Sequence, residues 1–416
     1  MKKPHDNLHK VGSREAGSII TLFALSVVVI FFTLGLSIDL GTAYVAQARL
    51  SKSVDAAVLA GARNTARGDA QIKNIALKIA TANLVIDQPV AYSVQVSSPV
   101  VDTKRVTMRA ATRSPTTFGI LMGKTSLDVS AEGEATRYPL DMSLTLDLSY
   151  SLQRNNAFDD MQRASEAFLD YFDDSVDQIG IATYSTWAED KLPAQKYFQI
   201  PGTAIISGLS AISDTNIQEG LRVAKTQLDS AFKRAGALKI VVLFTDGRPT
   251  AYRDTFGFSD PACASYDGVA ATYISGSSFR GMFKWQNGLK IVGFVPTCVT
   301  TTQSNLSRTG SPVPTQVSTA GSAGDFVRAQ GVLKAEHQAD LIRAAGYSIY
   351  AIGLGNPNAT NAGDVPDLAF LGRLTNEGGR VSATQPRGEV IFAPSPAELD
   401  DAFAKLADRL LTRLTR

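Results

Sequence analysis

A chain of 416 residues is too long for one ordinary hydrophobic core, so roughly two or three folded units are expected. Its 44% hydrophobic and 19% charged residues make a globular composition, and 41 Lys and Arg against 39 Asp and Glu argue against a dedicated nucleic-acid binder. Two cysteines, Cys263 and Cys298, and three histidines, His5, His9 and His337, are too few and too scattered for a zinc site.

Residues 1–16 form a polar tail carrying Lys2, Lys3, Lys10 and Arg14. Gly17 to Leu36 then runs almost without charge through Ile19, Ile20, Leu22, Phe23, Leu25, Val28, Phe31 and Leu34. About 20 such residues, rising about 1.5 Å each, cross the bilayer hydrocarbon as a helix. A transmembrane helix is therefore expected over residues 17–40, with a buried soluble helix as the alternative. A secretory signal would have a shorter apolar run and a small-residue cleavage site. Here Asp39, Tyr44, Gln47 and Arg49 follow instead. The basic tail favours an N-in orientation, although Arg49 and Lys52 reduce the asymmetry. Residues 41–416 are then expected on the periplasmic or extracellular side of a bacterial cytoplasmic (inner) membrane.

Beyond the span, Leu40, Tyr44, Leu50, Val54 and Val58 continue a helical pattern to about Arg63. A second helix is expected over about 70–84. Alternating stretches at Ala91–Val96, Arg105–Ala110 and Leu127–Thr136 read as strands. Residues 41–138 thus make a small α+β region with a pilin-like layout. G-S-I-I-T-L-F-A-L (Gly17–Leu25), I-D-L-G-T-A-Y (Ile38–Tyr44) and L-S-K-S-V-D-A-A-V-L-A-G-A (Leu50–Ala62) resemble the N-terminal region of TadE/TadG-like Tad (tight adherence, Flp) pilus-assembly proteins. Prepilins usually carry Glu five residues after the cleavage glycine. Counting from Gly17, that position is Leu22, so the helix is expected to stay as an anchor.

Tyr138 and Pro139 mark a boundary, after which residues 139–416 alternate strands and helices. Met142–Leu146 reads as a buried strand ending in D-L-S-Y-S, Asp147–Ser151. A helix over about Ala157–Phe172 and a strand over Gln178–Tyr184 follow. S-D-T-N-I-Q-E-G-L, Ser213–Leu221, opens an amphipathic helix with Ile217, Leu221, Ala224, Leu228 and Phe232 on one face. Leu238–Phe244 is a near-continuous apolar strand closed by T-D-G, Thr245–Gly247. A helix over about Ala335–Ala345, a strand over Tyr347–Leu354 and a last helix over Pro396–Leu414 complete the series. Apolar strands alternating with helices predict an α/β, Rossmann-like fold with a mostly parallel sheet covered on both faces.

In such a sheet, ligands bind beyond the carboxyl ends of the strands, at the topological switch point. Asp147, Ser149, Ser151, Thr215 and Asp246 fall there. Oxygen ligands with few carboxylates suit a hard cation that keeps waters, so Mg²⁺ is the first choice and Mn²⁺ or Ca²⁺ the substitutes. D-x-S-x-S alone is also common turn chemistry; its combination with D-T-N-I-x-x-G-L and an apolar strand ending in T-D-G is far more specific. These motifs resemble the metal-ion-dependent adhesion site (MIDAS) of von Willebrand factor A (vWA) domains, and the closing run F-A-P-S-P-A-E-L-D-D-A-F, Phe392–Phe403, resembles the end of many vWA domains. The resemblance implies direct ligation by Ser149 and Ser151, direct or water-mediated ligation by Thr215, and water-bridged roles for Asp147 and Asp246. It also implies an open metal position for an acidic side chain of a partner protein.

The segment 248–332 interrupts that pattern. Phe256, Phe258, Tyr266, Tyr273, Phe279, Phe283, Trp285 and Phe294 suggest at least a partial fold of its own. Both cysteines lie in it. On the export side a Cys263–Cys298 disulfide is expected, worth about 3–4 kcal/mol by loop entropy, with two free buried thiols as the other reading. G-I-L-M-G-K-T, Gly119–Thr125, is one residue short of a phosphate loop and lacks a preceding apolar strand, so a turn and no nucleotide are expected. His337 has no nucleophile elbow to serve, and Asp173, Asp174 and Asp177 read as a solvated helix end. The expected function is a membrane-anchored, metal-dependent adhesion-type module, not an enzyme, engaging other proteins in Tad pilus assembly. A vWA envelope protein of unrelated stress or adhesion role is the first rival, and a metal-dependent hydrolase the second.

Overall fold

Helix α1 (Ala16–Arg63) runs for 48 residues and changes character halfway along. This computed structural model describes residues 16–86, 88–100, 102–231, 234, 236–256, 266–272, 279–286, 290–294, 323–355 and 367–414. By backbone contacts these divide into two units, one over 1–64, 68–97 and 105–135, the other over 65–67, 98–104 and 136–416. In the first half of α1, Ile20, Leu22, Phe23, Leu25 and Phe31 are exposed, and the helix is long and apolar enough to cross a membrane. In its second half Leu50, Val54, Ala57 and Val58 are buried against Ile72, Ala76 and Ala80 of α2 (Gly68–Asn83). Strands β1 (Ala91–Ser97), β2 (Lys104–Pro115) and β3 (Ser126–Arg137) form one sheet in that order. Val106, Met108 and Ala110 alternate inward from β2 and complete this core.

The larger unit is built on six strands: β4 (Leu140–Asp147), β5 (Gln178–Tyr184), β6 (Ala188–Gln195), β7 (Leu238–Thr245), β12 (Ser348–Leu354) and β13 (Val390–Ala393). Their order is β13-β12-β7-β4-β5-β6. All neighbours run parallel except the β5–β6 edge pair, which is antiparallel. The helices are α3 (Tyr150–Arg154), α4 (Phe158–Leu169), α5 (Gln199–Ser207), α6 (Ile217–Ser230), α7 (Ala323–Ala344), α8 (Leu368–Leu374) and α9 (Leu399–Leu414). One face of the sheet packs Leu140, Met142, Leu144 and Leu146 of β4, with Val242 and Phe244 of β7, against Phe168 of α4, Ile206 of α5 and Phe403 of α9. Phe168 meets Phe172 and Phe403 edge-on at 5.0 and 5.3 Å between centroids. The other face packs Val241, Leu243, Ile349 and Ala351 against Leu221 and Leu228 of α6, Ala339 and Ile342 of α7, and Phe370 of α8. Phe232, expected on the α6 stripe, lies outside the described residues.

Three features depart from the sequence expectation. β4 is not apolar throughout: its other face carries Asp141, Ser143, Thr145 and Asp147, all buried, and Gln227 of α6 meets Ser143 at 2.6 Å. Asp177 is not part of a solvated helix end. It is fully buried, accepts both terminal nitrogens of Arg137 at 3.1 and 2.5 Å, and takes the N–H groups of Leu140 and Asp173. The helix expected from about Ala335 begins at Ala323. Within residues 248–332, β8 (Ala251–Phe256), β9 (Tyr266–Thr272), β10 (Phe279–Gln286) and β11 (Lys290–Phe294) form a separate sheet of order β11-β10-β9-β8 with antiparallel neighbours. Cys263 and Cys298 lie outside the described residues, so the expected disulfide does too.

Candidate metal centre

The chain leaves β4 for β5 on one side, then returns through α6 to β7 on the other side of β4. The crevice at this reversal lies beyond the carboxyl ends of β4 and β7, where an open α/β sheet binds its ligands. The D-L-S-Y-S and T-D-G segments are those two strand ends.

Their side chains converge. Asp246 Oδ1 accepts hydrogen bonds from the hydroxyls of Ser151 at 2.8 Å and Ser149 at 3.2 Å, and those two hydroxyls are 2.9 Å apart. Ser149 stands at the N-cap of α3, yet its hydroxyl makes no capping hydrogen bond. The ordinary turn role of such a serine is therefore not the one it plays. Asp147 accepts the Ser149 N–H at 2.8 Å and the Thr245 hydroxyl at 2.8 Å, while the Tyr184 hydroxyl donates to the Phe244 carbonyl at 2.8 Å and stands 3.3 Å from Asp147. Asp147 and Ser149 are wholly buried, and Ser151, Thr215 and Asp246 nearly so.

Thr215 is held by its backbone. Its N–H donates to the Thr250 hydroxyl at 2.8 Å, and its carbonyl accepts the N–H of Thr250 at 3.0 Å. Tyr150 N–H donates to Ser213, Ile212 N–H to Leu148, and Asn216 N–H to Ser185, so the loops after β4, β5 and β7 are knitted to the entrance of α6. Among the described residues no hydrogen bond joins the Thr215 hydroxyl to the other four side chains. Asn216 caps α6 by accepting the Glu219 N–H. Gly220 lets α6 approach the sheet: a Cβ there would stand 2.7 Å from the Tyr184 ring.

Burial first, and the Asp246 carboxylate second, push the Asp147 carboxyl up to about 7. The groups that contact Asp147 are neutral donors, so a cation in the crevice would relieve both effects. Adjacent oxygens on an octahedral cation with bonds of about 2.0–2.1 Å stand about 2.9 Å apart. The Ser149–Ser151 separation of 2.9 Å is that of a hydroxyl–hydroxyl hydrogen bond and is compatible with that spacing. Among the described residues no three His, Cys, Asp or Glu side chains gather as a metal cluster. The donors that do gather are hydroxyls and two carboxylates, oxygen groups that fit a hard divalent cation.

Residues 141–272 match the family model of the von Willebrand factor type A domain. The chain carries a vWA domain. Residues 17–64 match the model described as putative Flp pilus-assembly TadE/G-like. A comparison with curated proteins gives no match. Among solved structures, the pilus adhesin SpaC from Lactobacillus rhamnosus GG in its open conformation is 12% identical, covering 79% of this chain and 34% of that one, with a TM-score of 0.42. The PilB minor pilin from Streptococcus sanguinis is 14% identical over 80% of each chain, with a TM-score of 0.39. Proximal thread matrix protein 1 from the mussel byssus, with a zinc-occupied MIDAS motif, is 16% identical over 67% of this chain and 46% of that one, with a TM-score of 0.37. The chain thus spans 34% of the adhesin's length and less than half of the byssus protein's.

Sequence reasoning missed Thr245 and Tyr184 as supports of Asp147. Thr245 was within the quoted T-D-G; what hid its role was the β4–β7 pairing, which brings it beside Asp147.

Proposed function

We propose that this chain is a single-pass protein of a bacterial cytoplasmic membrane whose vWA domain binds a partner protein through one divalent cation, in assembly or anchoring of a Tad-type pilus. The observation that carries this reading is the Ser149–Ser151–Asp246 oxygen cluster at the switch point of the sheet. The TadE/G-like match over residues 17–64 supports the pilus setting over an unrelated envelope role. Ser149 and Ser151 would hold the cation directly, Thr215 directly or through water, and Asp147 and Asp246 through water. Mg²⁺ is the first choice, with Mn²⁺ or Ca²⁺ as substitutes.

When bound, the cation supplies an open position for a carboxylate of the partner. The chain's own residues prepare that position. Asp246 aligns the two serine hydroxyls, and Thr245 and the Ser149 N–H hold Asp147 in place. Exposed Tyr150 at the start of α3, and exposed Arg248, which follows β7 and stands 3.8 Å from Asp367, are suited to meet an acidic segment. β8 starts one wall beside them, because Ala251 N–H donates to the Thr215 carbonyl and Arg253 N–H to Gln218. The reading is of binding, not turnover: Asp147 is engaged by donors within the site, and His337 lies on α7. In this reading residues 1–16 are a cytoplasmic tail, 17–40 the span, and 41–416 exported.

The test uses the full-length protein in detergent, immobilised and mixed with solubilised envelopes. A partner should be retained with Mg²⁺, released by chelator, and lost with the Ser149→Ala/Ser151→Ala double variant. Equal retention with and without chelator would reject metal-dependent binding.

A further inference from the structure

The G-I-L-M-G-K-T segment forms a tight turn between β2 and β3, with a 3-10 helix at Gly119–Met122 and Gly123 at φ +73°. It presents bulky apolar side chains outward: Ile120 is 57% exposed, Leu121 77% and Met122 60%. Three consecutive exposed apolar residues at the tip of a turn call for a non-aqueous neighbour.

The same turn is fastened to α1. Asp39, buried, accepts the N–H groups of Thr117 at 2.7 Å, Phe118 at 2.9 Å and Gly119 at 2.6 Å. One helical turn earlier, the Phe118 ring lies against Gly35, where a Cβ would stand 2.5 Å from it. At about 1.5 Å per residue, a hydrocarbon layer of about 30 Å entered near Gly17 to Ile20 ends near residues 37 to 40. Gly35 therefore lies within the layer and Asp39 at its edge. The three N–H groups satisfy the Asp39 carboxylate there, which an apolar boundary demands. Exposed Leu36, Ile38 and Leu40 continue the apolar surface of α1 to the same level. Exposed Lys124 follows the apolar tip, placed to reach lipid phosphates.

We propose that the Phe118–Lys124 turn is a second membrane-contacting element, an apolar wedge seated among lipid acyl chains beside the C-terminal end of the span. It rests on the reading of α1 as an anchor. The wedge would brace the small β-sheet unit against the bilayer and limit its rotation about a single helix. The occupant is lipid because the exposed tip is continuous with the apolar surface of the span.

The test places the full chain, with Cys263→Ser and Cys298→Ser, in vesicles of phosphatidylethanolamine and phosphatidylglycerol. A nitroxide is attached to Leu121→Cys or, separately, Met122→Cys, and its collision rates with oxygen and with a water-soluble nickel chelate are measured. Phe31→Cys in the span and Asn74→Cys, at an exposed position of α2, supply the lipid and water references. The oxygen-to-nickel ratio at 121 and 122 should exceed that at 74 several-fold and approach that at 31. A ratio at 121 and 122 equal to that at 74, with 31 still lipid-like, overturns the wedge and leaves the anchor. Low access to both reagents overturns it in favour of a protein neighbour. A water-like ratio at 31 rejects the anchor itself, and the wedge with it.

Discussion

One oxygen of Asp246 receives two serine hydroxyls, so this carboxylate orients the groups that would face the cation. Asp246→Ala should lower Mg²⁺ affinity and leave the fold largely intact, since loops at strand ends carry binding more than core stability. Calorimetry on the full-length protein in detergent checks this; equal affinity in both proteins would remove Asp246 from the site. Asp147 makes a separate, pH-dependent prediction. Its carboxyl is raised from 3.8 to about 7 in the folded chain, by burial first and the Asp246 carboxylate second. A raised folded value means that its contribution to stability is fully present below the unfolded value and is lost as pH rises through about 7. Mg²⁺ needs the deprotonated site, so its stabilising effect should grow across the same window. Thermal melts at about pH 5 and about pH 8 should show the larger Mg²⁺ shift at the higher pH; equal shifts would contradict it. The ligand candidates were legible because D-x-S-x-S and T-D-G are short covalent spacings at strand ends. The role of Tyr184 was not, because only the packed sheet brings the end of β5 within reach of Asp147 and the end of β7.

At the scale of elements, the buried Arg137–Asp177 pair ties the end of β3 to the turn before β5 within the larger unit. Removing one partner leaves the other charge buried, so Asp177→Ala should cost about 3–5 kcal/mol. Urea unfolding followed by fluorescence would check it, and a change within error of zero would show that the pair is not isolated from water. Asp177 looked solvated in the sequence because it sits in a run with Asp173 and Asp174; its partner is 40 positions away. β7 was legible from its near-continuous hydrophobic run. β6 was not: A-E-D-K-L-P-A-Q is charged and contains Pro193, a pattern tolerated at an antiparallel edge. α5 was hidden by Pro201 and Gly202, and the packing favours Gly202, since a Cβ would stand 2.7 Å from Leu169 Cδ1 and displace it. β13, four residues long, is too short for any periodic signal.

For the whole molecule, orientation in the membrane decides the chemistry open to the rest of the chain. The basic tail and one apolar run predict an N-in, C-out arrangement. A reporter active only in the cytoplasm, fused after Arg416, should be silent in intact cells; activity there would reverse the orientation. Export would also place Cys263 and Cys298 in an oxidising compartment. The two lie in one segment of the sequence, and their linkage would shorten the unfolded loop by an amount worth about 3–4 kcal/mol. Mass spectrometry of non-reduced peptides from exported protein should find them joined. The two measurements cross-check each other. A silent reporter with two free thiols would keep the orientation and defeat the bond, whereas an active reporter with free thiols would defeat both through the same cause. A linked pair that disappears under reductant, accompanied by a lower melting temperature and unchanged Mg²⁺ affinity, would assign the bond to the stability of residues 248–332 and not to the metal site.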